Sequence, residues 1–194
     1  MSFAGLFEFE QRLADYTGAP YVILTDGCTH AIELCMRYDL VASTEFTAFT
    51  YLSIPQVLRQ LAVDFSYTNE DWYESGEYQF HNTRIWDSAR RLVPDMYRPG
   101  QLQCLSFGVG KPLHLGKCGA ILTDDVVDYN TLSQMRSDGR DLRIEPWSQQ
   151  EYFIQGYHYC PTLETCANGI ELLDKITTGV TQQTYPDLRK IKIY

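Results

Sequence analysis

Residues 105–125 read LSFGVGKPLHLGKCGAILTDD, and the pattern of this segment is the most informative one about the fold. Apolar segments at 102–107 and 119–122 lie on either side of a glycine-rich turn, which is typical of two buried strands joined by a loop. The loop carries Lys111 among glycines and small apolar residues. A lysine next to the end of a buried strand is either a solvated turn residue or part of a functional site. Other segments of the sequence are needed to distinguish these two interpretations.

Helical and strand patterns alternate on both sides of this stretch. Towards the N-terminus, 3–16 and 30–40 have helical spacing, and 21–24 is a short apolar run that suits a buried strand. Towards the C-terminus, 124–135 and 161–176 are predicted helices. The other predictions are strands at 44–49, 61–65 and 83–87, a helix at 53–61, loops at 69–82 and 137–150, and a helix or strand at 188–194. The alternation predicts an α/β fold with a mostly parallel sheet sandwiched by helices.

Composition argues against several classes of protein. The chain of 194 residues is long enough for one domain with a substantial core, and no apolar run approaches the about 20 residues of a membrane span. The net charge of −9 argues against non-specific binding to nucleic acid, which depends on Lys and Arg. The six cysteines form no CxxC pair, which favours buried free thiols over a zinc site. Because the N-terminus lacks the features of a signal peptide, we expect a cytoplasmic protein.

Ligands of α/β sheets bind beyond the carboxyl ends of the strands, and this rule selects three positions. The turn at 26–29 joins a predicted strand to a predicted helix and suits an anion, although Thr29 is also a common N-cap residue. Asp87 ends a predicted strand, where it is either a functional carboxylate, a helix N-cap or the partner of a nearby arginine. The third position is the loop that carries Lys111.

A lysine, a carboxylate and an anion-binding turn are together the groups that a phosphorylated aldehyde cofactor needs. The lysine amine forms a Schiff base with the aldehyde. The carboxylate keeps the pyridine nitrogen protonated, so that the ring withdraws electrons. The N-terminus of the helix holds the phosphate. If the three positions meet in the folded chain, they predict pyridoxal 5′-phosphate as the cofactor.

Several segments, taken in order, resemble those of one enzyme family. They read FEQRLADYTGAPYVILTDGCTHAIEL, AFTYLSI, RIWDSAR, LSFGVGKPLHLGKCGAILTDD, MRSDGR and GYHYCPTLETCANGIELLDKI. They are similar to the DegT/DnrJ/EryC1/StrS sugar aminotransferases, which are fold-type-I enzymes that use pyridoxal phosphate. The SFxxxK pattern at 106–111, with the glycine turn and strand after it, is the most specific match. The resemblance implies a trimmed large domain, with a cofactor-binding core at 1–176 and a short tail at 177–194 in place of the family's small domain.

The resemblance also implies roles for individual residues. Lys111 would anchor the cofactor covalently and act as the acid and base of the reaction. Asp87 would pair with the pyridine nitrogen. Cys28, Thr29 and Ser106 would bind the phosphate, although the family usually has glycine where this chain has Cys28.

Three further positions complete the implied site. Tyr51 stands where the family places an aromatic residue that stacks on the cofactor ring. Arg90 stands where the family usually has Gln or His near the phenolic oxygen of the cofactor. His158 stands where the family has an Asn that reaches the phosphate in the neighbouring subunit. The last two departures affect how the cofactor is tuned more than whether it binds.

The activity implied by the resemblance is transfer of an amino group from an amino acid, glutamate above all, to a keto-sugar carried on a nucleotide. Relatives that act as dehydratases have lost the lysine that this chain retains, and relatives build shared sites as homodimers. Arg136, Arg140 and Arg143 of the polar loop are either solvated or ligands for a nucleotide diphosphate or carboxylate. Two alternatives stay open: a non-catalytic or regulatory remnant that binds the cofactor, and a different reaction of an amino acid, such as racemisation or elimination.

Overall fold

The computed structural model describes residues 2–176 and 179–192, and this part of the chain forms an α/β fold, as predicted. The helices are α1 (Ala4–Thr17), α2 (Cys28–Tyr38), α3 (Ser53–Gln60), α4 (Val126–Arg136) and α5 (Leu163–Leu173). The strands are β1 (Tyr21–Thr25), β2 (Ser43–Thr47), β3 (Asp64–Thr68), β4 (Tyr78–Gln79), β5 (Ile85–Asp87), β6 (Leu102–Ser106) and β7 (Gly119–Thr123). Single 3₁₀ turns lie at Trp147–Gln149 and Leu188–Lys190. None of the described helices is long and apolar enough to cross a membrane.

The main sheet has the strand order β1-β7-β6-β5-β4 and is mixed. Strands β1, β5 and β6 point in one direction, whereas β7 and β4 run antiparallel to their neighbours. The expectation of a mostly parallel sheet is corrected in this respect. The reason is the connections: β6 returns into β7 through the loop at 107–118, and β4 turns directly into β5. Two strands in parallel need a longer crossover, usually a helix, between them.

Strands β2 and β3 form a separate parallel pair that lies next to β4. The backbone N–H of His81 donates to the carbonyl of Glu45 at 2.9 Å, and the Thr44 hydroxyl donates to the carbonyl of His81 at 3.0 Å. Strand β4 lies within the predicted loop at 69–82. It has only two residues, too few to give a periodic signal in the sequence.

Alternating side chains of the strands build a separate apolar core on each face of the main sheet. Ile23 of β1 and Ile121 of β7 belong to the core that includes α2. The neighbouring residues Val22 and Leu24 point to the other face and belong to the core that includes α1 and α5. Successive side chains of a strand point to opposite faces, so a continuous apolar run needs cover on both. Helices therefore pack against both faces of the main sheet.

The packing of α5 on α1 provides a test of this architecture. Gly169 of α5 faces the buried ring of Phe9 so closely that an added methyl group would overlap the ring. We expect Gly169→Ala to lower the free energy of unfolding by about 1–3 kcal/mol, because overpacking outweighs the gain of about 1 kcal/mol in helix propensity. The measurement is urea-induced unfolding followed by circular dichroism. Asn168→Ala, at the exposed neighbouring position, is the control and should change the stability by less than about 0.5 kcal/mol.

Candidate active site

A cavity of about 610 Å³ opens at the carboxyl ends of β1, β5 and β6. It is where the three positions selected from the sequence meet: the turn into α2, the end of β5, and the loop after β6. Six of the eight predicted site residues line it, namely Cys28, Thr29, Tyr51, Asp87, Ser106 and Lys111. Antiparallel β7 contributes its first residue, Gly119, next to the same turn.

Lys111 is half-buried and its amine is held by the C-terminal segment of the chain. Its Nζ lies 3.1 Å from Gln183 Oε1 and 3.1 Å from the hydroxyl of Tyr185. Burial lowers the pKa of the Lys111 amine, and the negative charge of Asp87 opposes that shift. The amine therefore loses its proton more easily than the amine of a solvated lysine does. The unprotonated amine is the form that acts as a nucleophile. The interpretation of Lys111 as an ordinary solvated turn residue does not fit this environment.

Asp87 is 2% exposed and lines the cavity. Its Oδ2 accepts a hydrogen bond from the Tyr78 hydroxyl at 2.9 Å, and its Oδ1 accepts one from the backbone N–H of Ala89 at 2.9 Å. The Tyr78 hydroxyl is in turn 2.9 Å from the hydroxyl of Thr50. Burial raises the pKa of the Asp87 carboxyl, and the hydrogen bonds from Ala89 and Tyr78 together with the charge of Lys111 oppose the rise.

The alternative structural roles of Asp87 are not observed. No helix follows it, so it is not an N-cap. Among the described residues it takes part in no ion pair: Arg91 pairs with Glu77 instead, and the guanidinium of Arg90 donates to backbone carbonyls. A buried carboxylate without a cationic partner is costly, and such groups are concentrated in functional sites.

The N-terminus of α2 opens into the cavity without a side-chain cap. Gly27 is the N-cap residue, and among the described residues no acceptor is bonded to the backbone N–H of Cys28 or Thr29. Gly119 lies so close to this turn that a Cβ atom there would overlap the backbone of Gly27 and Cys28. Ser106, which also lines the cavity, ends β6. Free N–H groups at the positive end of the helix dipole bind anions such as phosphate.

Aromatic side chains form the outer wall of the cavity. Tyr51 is 59% exposed at the rim, and its ring centroid is 6.1 Å from that of Tyr185. Tyr185 stacks on the buried Trp72 with centroids 5.8 Å apart and planes 6° apart. The wall thus combines an accessible ring with two rings that hold each other in place.

Arg90 and His158 do not line this cavity. The guanidinium of Arg90 donates to the carbonyls of Tyr73 and Thr181 and lies 4.8 Å from the ring centroid of Trp72, in a smaller adjoining cleft of about 260 Å³. The side chain of His158 is 89% exposed, and its Nδ1 lies 3.0 Å from an oxygen of Asp138. The predicted contacts of these two residues with a cofactor stay predictions.

The three arginines assigned to the polar loop differ from one another in the fold. Arg136 is not in the loop: it ends α4, its side chain is 1% exposed, and it pairs with Glu10 at 2.5 Å. Arg140 and Arg143 pair with aspartates close to them in sequence, at 3.8 and 2.7 Å. Arg136 therefore forms a structural ion pair and is neither a ligand nor a solvated residue. This role follows from the packing of α1 and α4 on β1, which brings Glu10 and Arg136 together.

Several residues that line the cavity, and Tyr78, which contacts Asp87 without lining the cavity, carried no signal in the sequence. Tyr78 and Trp72 lie in the aromatic segment that was predicted to be a loop, and Thr50 precedes Tyr51 without a motif of its own. Gln183 and Tyr185 lie in a polar tail in which no pattern distinguishes them. Side chains that enter a site from distant segments are recognised by their contacts, which the sequence does not show.

Comparison with known proteins supports the fold of this chain but not a specific activity. The sequence matches no protein-family model and no curated protein. Solved structures with the same fold include a DegT DnrJ EryC1 StrS aminotransferase from Brucella abortus (TM-score 0.72, 18% identity, covering 89% of this chain and 58% of that one). They also include the sugar aminotransferase CalS13 from Micromonospora echinospora (0.72, 13%, 89% and 60%) and a mutant of GDP-4-keto-6-deoxymannose-3-dehydratase (ColD) with bound GDP-perosamine (0.66, 14%, 89% and 61%).

At these identities the likeness shows that the chain has the fold of these enzymes. The chain spans about 60% of the length of the solved chains that it matches. Their activities and ligands therefore enter only as support for a proposal about this protein.

Proposed function

We propose that this protein is a pyridoxal-phosphate-dependent aminotransferase that transfers an amino group from an amino acid, with glutamate as the first candidate, to a keto-sugar carried on a nucleotide. One observation carries the proposal. A single cavity brings together a half-buried lysine amine, a buried carboxylate that forms no ion pair with any described residue, and a helix N-terminus without a side-chain cap.

The groups around the cavity fit the cofactor at each of its ends. The unbonded N–H groups of Cys28 and Thr29 and the hydroxyl of Ser106 are donors for a phosphate. Gly119 allows the backbone to approach that turn, where a larger residue would overlap it. Asp87 offers a carboxylate to a protonated ring nitrogen, and the exposed ring of Tyr51 offers a stacking surface. The volume of about 610 Å³ lies in the range of about 300–1,000 Å³ that is usual for ligand pockets.

The cofactor, when bound, supplies a ring that withdraws electrons from the carbon atom that loses or gains the amino group. Lys111 would hold the cofactor through its amine, and the same amine, when free, would act as the base that carries the proton. The lowered pKa of this amine supports the second role, because a general base works best with a pKa near the working pH. Tyr78 and the N–H of Ala89 keep the Asp87 carboxylate in position.

The substrates are proposed from what proteins of this fold are known to bind. CalS13 is a sugar aminotransferase, and the ColD structure contains GDP-perosamine, a nucleotide-linked amino sugar. We further propose a cytoplasmic homodimer in which His158 reaches the phosphate bound by the neighbouring subunit. Its high exposure leaves the side chain accessible to a second chain. In the same proposal, residues 1–176 form the cofactor-binding core and residues 177–194 form a separate segment.

The test is a titration of the purified protein with pyridoxal phosphate, followed by visible absorbance. We expect a new absorbance band when the cofactor binds. Borohydride reduction should then leave a pyridoxyl group covalently attached to the peptide that contains Lys111. Addition of glutamate should then discharge the band as the cofactor takes up the amino group. A protein that binds the cofactor but leaves glutamate unchanged would be a non-catalytic remnant. Amino-acid products formed without a keto acceptor would indicate racemisation or elimination.

A further inference from the structure

A C-terminal segment, residues 179–192, crosses the outer side of the cavity and is fixed at both ends; we call it the strap. At one end, the carbonyl of Gly179 accepts from the N–H of Leu92 at 2.7 Å, and the N–H of Thr181 donates to the carbonyl of Arg90 at 2.9 Å. At the other end, Leu188 is 2% exposed and its N–H donates to the carbonyl of Ala48 at 3.0 Å. The strap is therefore a docked wall of the cavity rather than a loose tail.

Two side chains between these anchors contact the amine of Lys111. Gln183 Oε1 and the Tyr185 hydroxyl each lie 3.1 Å from Nζ, and they lie 3.2 Å from each other. The three polar groups form a closed triangle. The Tyr185 ring is held by its stacking on Trp72, so the hydroxyl cannot swing away without losing that contact.

We propose that Gln183 and Tyr185 are positioning residues that hold and orient the reactive amine of Lys111 from the strap. The inference rests on the proposed function for its meaning, since it assigns these residues to the reaction of that amine. The amide oxygen of Gln183 accepts from the amine in either protonation state, and the bond is stronger from the charged ammonium. The hydroxyl of Tyr185 accepts from the ammonium and donates to the free amine, so it can bond Lys111 in both protonation states.

The charged groups around Lys111 set the direction of the expected effect. Burial favours the free amine, the charge of Arg90 does the same, and the charge of Asp87 favours the ammonium, whereas the buried Cys28 thiol stays neutral because its pKa is raised. Burial raises the pKa of Tyr185, so this residue stays a neutral phenol at physiological pH. Tyr185→Phe removes an acceptor of the ammonium and leaves an apolar ring of the same shape in its place. The pKa of Lys111 should therefore fall further.

The test measures the titration of Lys111 in protein that has been freed of cofactor with hydroxylamine. The protein is acetylated with a limiting amount of acetic anhydride across a pH series, and the modified Lys111 peptide is quantified by mass spectrometry. We expect the midpoint of labelling to lie about one pH unit lower in Tyr185→Phe than in wild type, as loss of a hydrogen bond to a charged group implies. Gln183→Leu should shift it in the same direction. Tyr152→Phe, which changes an exposed tyrosine far from the strap in sequence, should leave it unchanged.

Unchanged midpoints in both Tyr185→Phe and Gln183→Leu would overturn the inference, and so would an equal shift in Tyr152→Phe. The outcome is independent of the proposed function, because no cofactor takes part in the assay. A protein that fails to bind pyridoxal phosphate, yet shows the shift, would overturn the proposed function and leave the positioning of the amine in place.

Discussion

Replacing Lys111 by alanine should remove the absorbance band that pyridoxal phosphate produces and lower amino transfer to the background. The amine at this position is the group proposed to hold the cofactor and to carry the proton, so both functions are lost together. General acid–base catalysis alone contributes about 10²- to 10⁴-fold to a rate, and loss of the covalent attachment adds to that. We therefore expect substitution of Lys111 to lower the activity more than substitution of any other residue.

Lys111→Arg separates the covalent role of the amine from its charge. A guanidinium keeps a positive charge near Asp87, but it forms no bond with the aldehyde. We expect this variant to lack the band as completely as Lys111→Ala does. Lys175→Ala, which removes an exposed lysine of the chain beyond α5, is the control and should bind cofactor normally. Borohydride-trapped label on any lysine other than Lys111 in the wild type would contradict the assignment.

Asp87→Asn should weaken the activity while leaving the fold intact or more stable. The amide cannot pair as an anion with a protonated ring nitrogen, and loss of a hydrogen bond to a charged group corresponds to about a 10- to 100-fold effect. The amide still has partners in the site. The hydroxyls of Tyr78 and Thr50 can each act as donor to the other, so Tyr78 can reorient and accept from the new amide group.

The pH dependence of stability provides a second measurement on the same variant. Because burial raises the pKa of Asp87, the folded state binds this proton more tightly than the unfolded state does. The group therefore stabilises the cofactor-free protein most at acid pH, and this contribution is lost as the pH rises from the unfolded pKa through the folded one. Asp87→Asn should abolish that loss, so its melting temperature should equal or exceed that of wild type at pH 7.

The control for this measurement is Asp15→Asn, which changes an exposed carboxylate of α1. It should leave both the activity and the pH profile unchanged. A fall of several degrees in the melting temperature of Asp87→Asn at pH 7 would show that the carboxylate is required for folding rather than for function.

Much of the fold and of the site could be predicted from local patterns. Apolar runs, helical spacing and glycine turns indicated the elements within a few residues, because those features depend on near neighbours in the chain. The largest shift is at β3. The strand predicted at 61–65 begins only at Asp64, because the chain first turns through Ala62, which has a positive φ of 56°. The convergence of Asp87, Lys111 and the turn into α2 followed from one rule, that ligands meet the carboxyl ends of strands.

An α/β chain with a lysine, a carboxylate and a helix N-terminus at the ends of its strands could be predicted from the amino-acid sequence, because each of these features depends on residues close together in the chain. The mixed sheet, the buried ion pair of Arg136 with Glu10, and the contacts of Gln183 and Tyr185 with the amine of Lys111 are visible only in the folded chain. Those contacts join residues 72 and 74 positions apart. They arise from the way the strap docks over the cavity, which no local pattern encodes.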